Sequence, residues 1–254
     1  MNDHNDRVSI VIPAHNEADY IEGALASVVA QDYPLQQLEC VVVANACTDD
    51  TARIASDFAK QHSKLALIVV TEPSLGVSRA KNRGVEQATG TILVFLDADS
   101  RMDPRLVRDI VTQYHADAPA GSIRVVADSD SPIERGFFNL LELGPMLFGT
   151  RSQMFYCDRA LFLALGGFNE ALQLAEDLDL LDRVRAHLRR EGKNRAAVGH
   201  IRASAIATSP RRLRRLPYHL SIVTTFTRWA LAFVGIGRTR TYDARTYHAR
   251  RTEK

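Results

Sequence analysis

Four short apolar runs divide the first hundred residues into repeating units. The runs begin near Val8, Leu38, Leu65 and Thr91, about 26–30 residues apart, and each gap has room for one helix. Runs rich in β-branched residues predict strands that are buried on both faces. This alternation predicts a parallel sheet in an α/β fold, and right-handed crossovers then bring the loops after all four strands to one edge.

The second half of the chain is less regular and predicts a mixture of helices and extended segments. Helices are predicted near 104–116, 133–148, 158–165 and 176–191, and extended segments near 122–127, 152–157 and 196–207. Gly166-Gly167 and Gly192 follow two of these helices, in the position where a left-handed residue commonly ends a helix.

Polar loops follow the first, second and fourth predicted strands, at 13–17, 45–49 and 97–99. Ligands of open α/β sheets bind at the edge formed by the carboxyl ends of the strands, so we expect these loops to face one crevice. The first loop has neither the Gly-x-Gly-x-x-Gly nor the Gly-x-x-x-x-Gly-Lys-Ser/Thr pattern. A dinucleotide-dependent dehydrogenase and a P-loop enzyme are therefore not expected.

Two carboxylates, Asp97 and Asp99, directly follow the apolar run Ile92–Leu96. Alternate residues of an extended chain point the same way, so both carboxylates could converge on a divalent cation, which prefers oxygen ligands. The same residues also fit a strand end followed by a turn and a helix start over 100–104. The pair alone does not decide between these interpretations.

The composition is that of an ordinary soluble globular protein, with 46% hydrophobic and 24% charged residues in 254. The three cysteines lack metal spacing and the first residues lack a signal-peptide pattern. We therefore expect a reduced, cytoplasmic setting.

The net charge of +2 conceals an asymmetry between the body of the chain and its last 46 residues. Residues 209–254 hold 11 Lys and Arg but 2 Asp and Glu, so they carry +9 and the remainder carries −7. Apolar residues recur at helical spacing within 216–237, so the basic tail is predicted to form an amphipathic helix. It would pack either on the domain or on an anionic membrane surface, at the inner face of the membrane. No nucleic-acid-binding motif accompanies these charges, so a nucleic-acid partner is not expected.

Five segments, taken together and in this order, resemble the family 2 glycosyltransferases, which have the GT-A fold. They are Val8–Glu17 with its Pro-x-x-Asn-Glu turn, the loop at 42–51, Ser78–Gly84 with 88–90, Asp97-Ala98-Asp99, and Gly166–Glu170 followed by Glu176-Asp177. The resemblance covers residues 7 to about 210. It implies a Rossmann-like, mostly parallel nucleotide-binding sheet flanked by helices. Residues 7–100 would bind the nucleotide sugar, 101–210 would hold the acceptor and catalytic groups, and 211–254 would be a basic helical extension.

The resemblance also implies roles for the matching residues. Nucleotide-sugar binding would fall to Pro13, Ala14, Asn16, Glu17, Asn45, Asp49, Lys81, Asp97 and Ala98. Asp99, with Asp97, would hold Mg²⁺ or Mn²⁺ on the diphosphate. Asp177 would be the general base of an inverting transfer. Glu176 could orient Asp177, although compensation of the helix dipole would also explain its position. A carboxylate at a helix N-terminus is expected to stay ionised, which suits a base.

Some residues permit more than one interpretation. Lys81 could reach a phosphate or lie on a solvated helix face. Arg211 could clamp the diphosphate or belong to the basic tail. His200 could be a further metal ligand, although a lone histidine in a strand is more often structural. Ala44 stands where many family members have an aspartate against the base, which leaves the base open.

The expected function is therefore metal-dependent, inverting transfer of a sugar from a nucleotide sugar to an acceptor hydroxyl. A UDP-sugar is the favoured donor, and a glycan or lipid-linked acceptor is expected, in polysaccharide, glycolipid or cell-envelope glycan synthesis. No Gln-x-x-Arg-Trp motif follows Glu176-Asp177, which argues against a processive synthase. A non-catalytic sugar-nucleotide binder and a sugar nucleotidyltransferase are the alternatives, but 13–17 lacks the Gly-rich loop of the latter.

Overall fold

The strands of the protein form one mixed sheet. The computed structural model describes residues 6–148, 155–172, 176–193, 197–214 and 220. The strands are β1 (Val8–Ala14), β2 (Leu38–Asn45), β3 (Ala66–Glu72), β4 (Ile92–Phe95), β5 (Ser100–Met102), β6 (Ala120–Ala127), β7 (Phe155–Asp158) and β8 (Val198–Thr208). Within these residues they form an eight-stranded sheet in the order β3-β2-β1-β4-β7-β6-β8-β5. The first four strands are parallel to one another, as predicted, and β7 and β5 run antiparallel to their neighbours.

Helices cover both faces of this sheet. They are α1 (Ile21–Val29), α2 (Thr51–Gln61), α3 (Val77–Gln87), α4 (Leu106–His115), α5 (Pro132–Phe148), α6 (Arg159–Ala164), α7 (Glu176–Arg190) and α8 (Arg211–Arg214), with a short 3₁₀ turn at Leu35–Gln37. Apolar residues of α1, α2 and α4 pack on one face, and those of α3, α6 and α7 pack on the other. No helix in the described parts of the chain is long and apolar enough to cross a membrane.

The handedness of the crossovers explains why α3 lies opposite α1 and α2. The chain moves from β1 to β2 to β3 in one direction across the sheet and then returns past β1 to β4. A right-handed crossover made in the opposite direction places its helix on the opposite face. The order of strands therefore reverses between β1 and β4.

Most of the predicted elements are confirmed, and one strand was missed. The segment at 100–104 was interpreted as a helix start, but Ser100–Met102 is the edge strand β5 and pairs with β8. Three residues are too few to show an alternating pattern. Gly166 and Gly167, with φ of 79° and 69°, follow α6 as predicted. The predicted amphipathic helix of the tail lies outside the described residues.

The two predicted halves of the domain share this sheet, because β4 of the first half pairs with β7 of the second. Ile92 lies opposite Asp158 and Phe95 opposite Phe155. The boundary near residue 100 remains a prediction.

Helix α3 packs unusually close to the sheet at Gly84. A methyl group at this position would overlap Cγ1 of Val11 and lie 3.2 Å from Cγ2 of Val43. Both valines are buried strand residues, so they have little freedom to move aside. The close approach brings α3, which carries Lys81, down onto β1 and β2.

We expect Gly84→Ala to lower the free energy of unfolding by about 1–3 kcal/mol, because overpacking outweighs the better helix propensity of alanine. The matched control is Gly136→Ala in α5, where an added methyl group meets no atom within 4 Å. That change should be neutral or stabilising by up to about 1 kcal/mol. Urea denaturation of the two variants measures both effects, and equal stabilities would contradict the close packing of α3.

Candidate active site

The carboxyl ends of β1 and β4 lie side by side at the point where the strand order reverses. The chain leaves β1 for a helix on one face and reaches β4 from a helix on the other, which is the arrangement at which open α/β sheets bind their ligands. Pro13 and Ala14 end β1 and lead into the turn that reaches Glu17, and Asp97 to Asp99 follow β4. The structure thus brings together the loops that the sequence pattern placed at one edge.

The loops after β1 and β2 are tied to each other by hydrogen bonds. Oδ1 of Asn16, a residue with a left-handed φ of 53°, accepts from the backbone N of Thr48 at 2.8 Å. Oδ2 of Asp49 accepts from the backbone N of Ala18 at 3.1 Å. The predicted nucleotide-binding residues Asn16 and Asp49 therefore hold this double loop in shape.

The side chain of Asn45 fixes a third connection at the same edge. Its Nδ2 donates to the carbonyl oxygens of Glu72 at 3.1 Å and Ser74 at 2.7 Å, and its Oδ1 accepts from the backbone N of Gly76 at 2.9 Å. The amide is buried, and both hydrogens of its NH2 group are engaged by backbone carbonyls. A hydrogen bond donated by Nδ2 of Asn45 to a nucleotide base would require one of these bonds to break.

Lys81, on α3, contacts the first turn of α7. Its Nζ lies 2.8 Å from Oε1 of Glu176 and 2.7 Å from Oδ1 of Asp177, and 4.9 Å from the ring centre of Phe168. Only 2% of Lys81 is exposed, so the interpretation of a solvated helix face is wrong. Its spacing from Val85 and Ala88 on α3 places it on the inward side, a signal that the sequence contained.

Asp177 lies in an environment that opposes ionisation. Burial raises its pKa to about 7, the charges of Glu176 and Asp97 act in the same direction, and Lys81 opposes them. The expectation that the helix N-terminus keeps this group ionised is therefore outweighed by burial. Burial acts to lower the pKa of Lys81, but the carboxylates of Asp177, Glu176 and Asp97 raise it above its usual value, so Lys81 stays protonated. A carboxyl group that titrates near neutral pH is suited to accept and release a proton.

A second cation, Arg211, contacts the loops after β1 and β4. Its Nη2 is 2.5 Å from Oε1 of Glu17 and 2.9 Å from Oδ2 of Asp99, and its guanidinium carbon is 4.5 Å from the ring centre of Tyr20. Arg211 is thus positioned beside Asp99, as the interpretation of a diphosphate clamp requires. The two carboxylates of the Asp97–Asp99 pair are near different cations, since Asp97 is close enough to Lys81 to raise the pKa of the lysine.

His200 lies away from these groups. Its Nδ1 is 2.9 Å from Oγ of Ser122, and its Nε2 is 3.8 Å from Oε2 of Glu142. Asp99 instead adjoins the other end of β8, where Thr208 pairs with Ser100. This position favours the structural interpretation of His200.

The carboxylates after β4 are suited to a metal site that the substrate completes. Within the residues that the structure describes, no group of three or more His, Cys, Asp or Glu side chains could hold a metal ion. Mg²⁺, however, is commonly held by one or two carboxylates together with substrate phosphates. The oxygen donors of Asp97 and Asp99 fit a cation of this class that binds together with a diphosphate.

The segment Gly166–Glu170 packs against α3 beside Lys81. Nδ2 of Asn82 donates to the carbonyl of Phe168 at 2.9 Å, and Oε2 of Glu170 is 3.0 Å from Nε of Arg79. An open polar groove of about 580 Å³ runs between this segment, α3 and α7. Its walls include Arg183, which contacts Asp179 and backbone carbonyls. Through Arg183, the segment also connects α7 to α3.

The family assignment follows from comparison with known proteins. The model of glycosyl transferase family 2 matches residues 9–165, which is more than half of the 254 residues. The chain therefore belongs to glycosyl transferase family 2.

Curated relatives align over part of their length. Glycosyltransferase AglE of Haloferax volcanii is 40% identical over 92 residues, which are 36% of this chain and 30% of AglE. Probable glycosyltransferase YdaM of Bacillus subtilis is 29% identical over 196 residues, which are 70% of this chain and 46% of YdaM. The chain thus spans less than half the length of these two relatives.

Solved structures share the fold. Mannosyltransferase PcManGT from Pyrobaculum calidifontis, in complex with GDP-Man and Mn²⁺, is 25% identical with a TM-score of 0.64, over 89% of this chain and 65% of that chain. Residues 1–349 of Staphylococcus aureus TarS, in complex with UDP, are 22% identical with a TM-score of 0.60, over 89% of this chain and 72% of that chain. The predicted GT-A fold is confirmed.

We expect Lys81→Met to destabilise the protein by about 3–5 kcal/mol near pH 8, because it leaves two buried carboxylates without their cation. The loss should be smaller near pH 5. A carboxyl group whose pKa is raised in the folded state stabilises the fold at low pH, where it is protonated. This contribution to stability is lost as the pH rises through the raised pKa.

Chemical denaturation at several pH values measures this effect. The matched control is Lys60→Met in α2, whose Nζ makes an exposed pair with Asp57 and whose loss should cost less than about 1 kcal/mol. A Lys81→Met variant as stable as the Lys60→Met variant at all pH values would show that Lys81 does not hold the two carboxylates.

Proposed function

We propose that the protein transfers a glycosyl group from a nucleotide-sugar donor to an acceptor hydroxyl, with inversion at the anomeric carbon. One observation carries the proposal. Lys81 binds the carboxyl group of Asp177, whose pKa is about 7, and lies near Asp97 at the carboxyl end of β4. Asp177, the proton acceptor, is thereby held near Asp97, one of the two carboxylates suited to hold a divalent cation against a diphosphate.

The donor would lie across the ends of β1, β2 and β4. The double loop formed by 13–18 and 45–51 would border the nucleoside, with Pro13 and Ala14 at the end of β1. Asp99, assisted by Asp97, would hold Mg²⁺ or Mn²⁺ against the diphosphate. A bound divalent cation would neutralise the charge of the nucleoside diphosphate and make it a better leaving group. Residues 7–100 would thus bind the donor, and 101–210 would contribute catalysis and acceptor binding.

Asp177 would act as the general base. Lys81 donates to its Oδ1, so Oδ2 is the oxygen that would take the proton of the acceptor hydroxyl. That hydroxyl would attack the anomeric carbon on the face opposite the diphosphate, which inverts the configuration. Glu176 shares Lys81 and would keep the lysine in place for Asp177. General-base assistance is typically worth about 10²–10⁴-fold in rate.

The ligands of the related structures support a nucleotide-sugar donor. TarS was solved with UDP and with UDP-GlcNAc, and PcManGT with GDP-Man and Mn²⁺. We therefore propose a UDP- or GDP-linked hexose as donor for this chain. A glycan or lipid-linked acceptor, as in cell-envelope glycan synthesis, is part of the same proposal, as is contact of 211–254 with a membrane surface.

Two substitutions should separate donor binding from chemistry. Asp99→Ala should remove the part of the rise in melting temperature with UDP or GDP that depends on Mn²⁺, because the cation loses its carboxylate. Asp177→Asn should keep that rise and lower the turnover of the nucleotide sugar by about 10²–10⁴-fold. Unchanged turnover in Asp177→Asn would refute the role of the base, whereas wild-type protein that binds the nucleotide without turning over any nucleotide sugar would favour a non-catalytic sugar-nucleotide-binding protein.

The pH dependence gives an independent readout of Asp177. In the wild-type protein kcat/KM should fall as the pH decreases through about 7, since protonated Asp177 cannot accept a proton. The residual activity of Asp177→Asn should lack this acid limb. If the limb persists in the variant, another group is the one that titrates.

A further inference from the structure

Arg211 lies where a diphosphate site requires positive charge. Its guanidinium group contacts both Glu17, from the loop after β1, and Asp99, from the loop after β4. These two loops face the crevice proposed for the donor. The side chain is 25% exposed, so it lines the site and is still reachable from solvent.

The guanidinium group keeps hydrogen-bonding capacity in this position. Both carboxylate contacts of Arg211 use Nη2, at 2.5 Å to Glu17 and 2.9 Å to Asp99. Within the described parts of the chain, Nε and Nη1 of Arg211 make no hydrogen bond to the protein. An arginine fork with two donors available matches the oxygen atoms of a phosphate group.

The position of Arg211 is fixed by the packing of the segment that carries it. The backbone N of Ser209 donates to the carbonyl of Asp99 at 3.0 Å. Arg214, at the end of α8, binds the fully buried Glu134 through Nε at 2.7 Å. Tyr20 lies against the guanidinium plane. A side chain already held in its binding geometry loses little conformational entropy when a ligand arrives.

The surrounding charges explain why such a cation matters. Glu17, Asp97 and Asp99 would together repel an anionic diphosphate at this edge of the sheet. A divalent cation is one way to overcome the repulsion, and a fixed guanidinium group is another.

We infer that Arg211 binds the diphosphate of the donor, an inference that rests on the proposed function. Its guanidinium group supplies part of the positive charge that a divalent cation would otherwise supply at the diphosphate. Some nucleotide binding then persists without any divalent cation, and Arg211 is the residue on which that binding depends.

The test compares the affinity for UDP and GDP in EDTA and in saturating Mn²⁺, by titration calorimetry. Wild-type protein should bind at least one of the two in EDTA. Arg211→Ala should weaken binding in EDTA by about tenfold or more and weaken binding in Mn²⁺ less, so the gain from Mn²⁺ becomes larger. Arg211→Lys, which keeps the charge without the fork, should be intermediate. The effect should also be larger for the diphosphate than for the corresponding monophosphate, which a general loss of packing would not produce.

Arg53→Ala is the matched control, since Arg53 is an exposed arginine of α2 that pairs with Asp50 and Asp57. It should bind nucleotides like the wild-type protein. Equal affinities of Arg211→Ala and wild type in EDTA, or wild-type binding that requires Mn²⁺ entirely, would overturn the role of Arg211 while leaving the proposed function intact. If wild-type protein binds neither nucleotide in either condition, the proposed function itself fails and the inference fails with it.

Discussion

The site depends on the neutralisation of carboxylates by two cationic side chains. Lys81 is buried between Glu176 and Asp177, and Arg211 bridges Glu17 and Asp99. Without these cations, α7 and the loops after β1 and β4 would bring like charges together in a partly desolvated space, which costs several kcal/mol per unpaired ion. The same contacts connect segments that are distant along the chain, from the first strand to the segment after β8.

These contacts also explain how one fold can provide both a binding edge and a proton acceptor. The reversal of strand order between β1 and β4 provides the edge at which open α/β sheets bind ligands, and the close packing of Gly84 on Val11 brings α3 down beside it. Lys81 then extends from α3 to the first turn of α7, where burial raises the pKa of Asp177 to about 7. The electrostatic character of the base therefore follows from the packing of a helix on a sheet.

Much of the fold could be predicted from sequence, because the apolar runs of the parallel strands are long and regularly spaced. The edge strand Ser100–Met102 could not, since its pairing with β8 joins residues about a hundred positions apart. The prediction that the loops at 13–17, 45–49 and 97–99 meet at one edge of the sheet is confirmed by the parallel pairing of β1, β2 and β4. The contacts within the site could not be predicted, because the partners of Lys81 and Arg211 are set by tertiary packing. The inward position of Lys81 on α3 was the one local signal that was available.

The most direct test of the central claim is a crystal structure of the protein with UDP or GDP and Mn²⁺. We expect a diphosphate that contacts the guanidinium group of Arg211 and is joined to Asp99 through Mn²⁺, the nucleoside against the loops at 13–18 and 45–51, and the carboxyl group of Asp177 facing the sugar position beyond the terminal phosphate. A nucleotide bound elsewhere, such as in the groove beside Gly166–Glu170, would contradict the assignment of this edge of the sheet as the donor site.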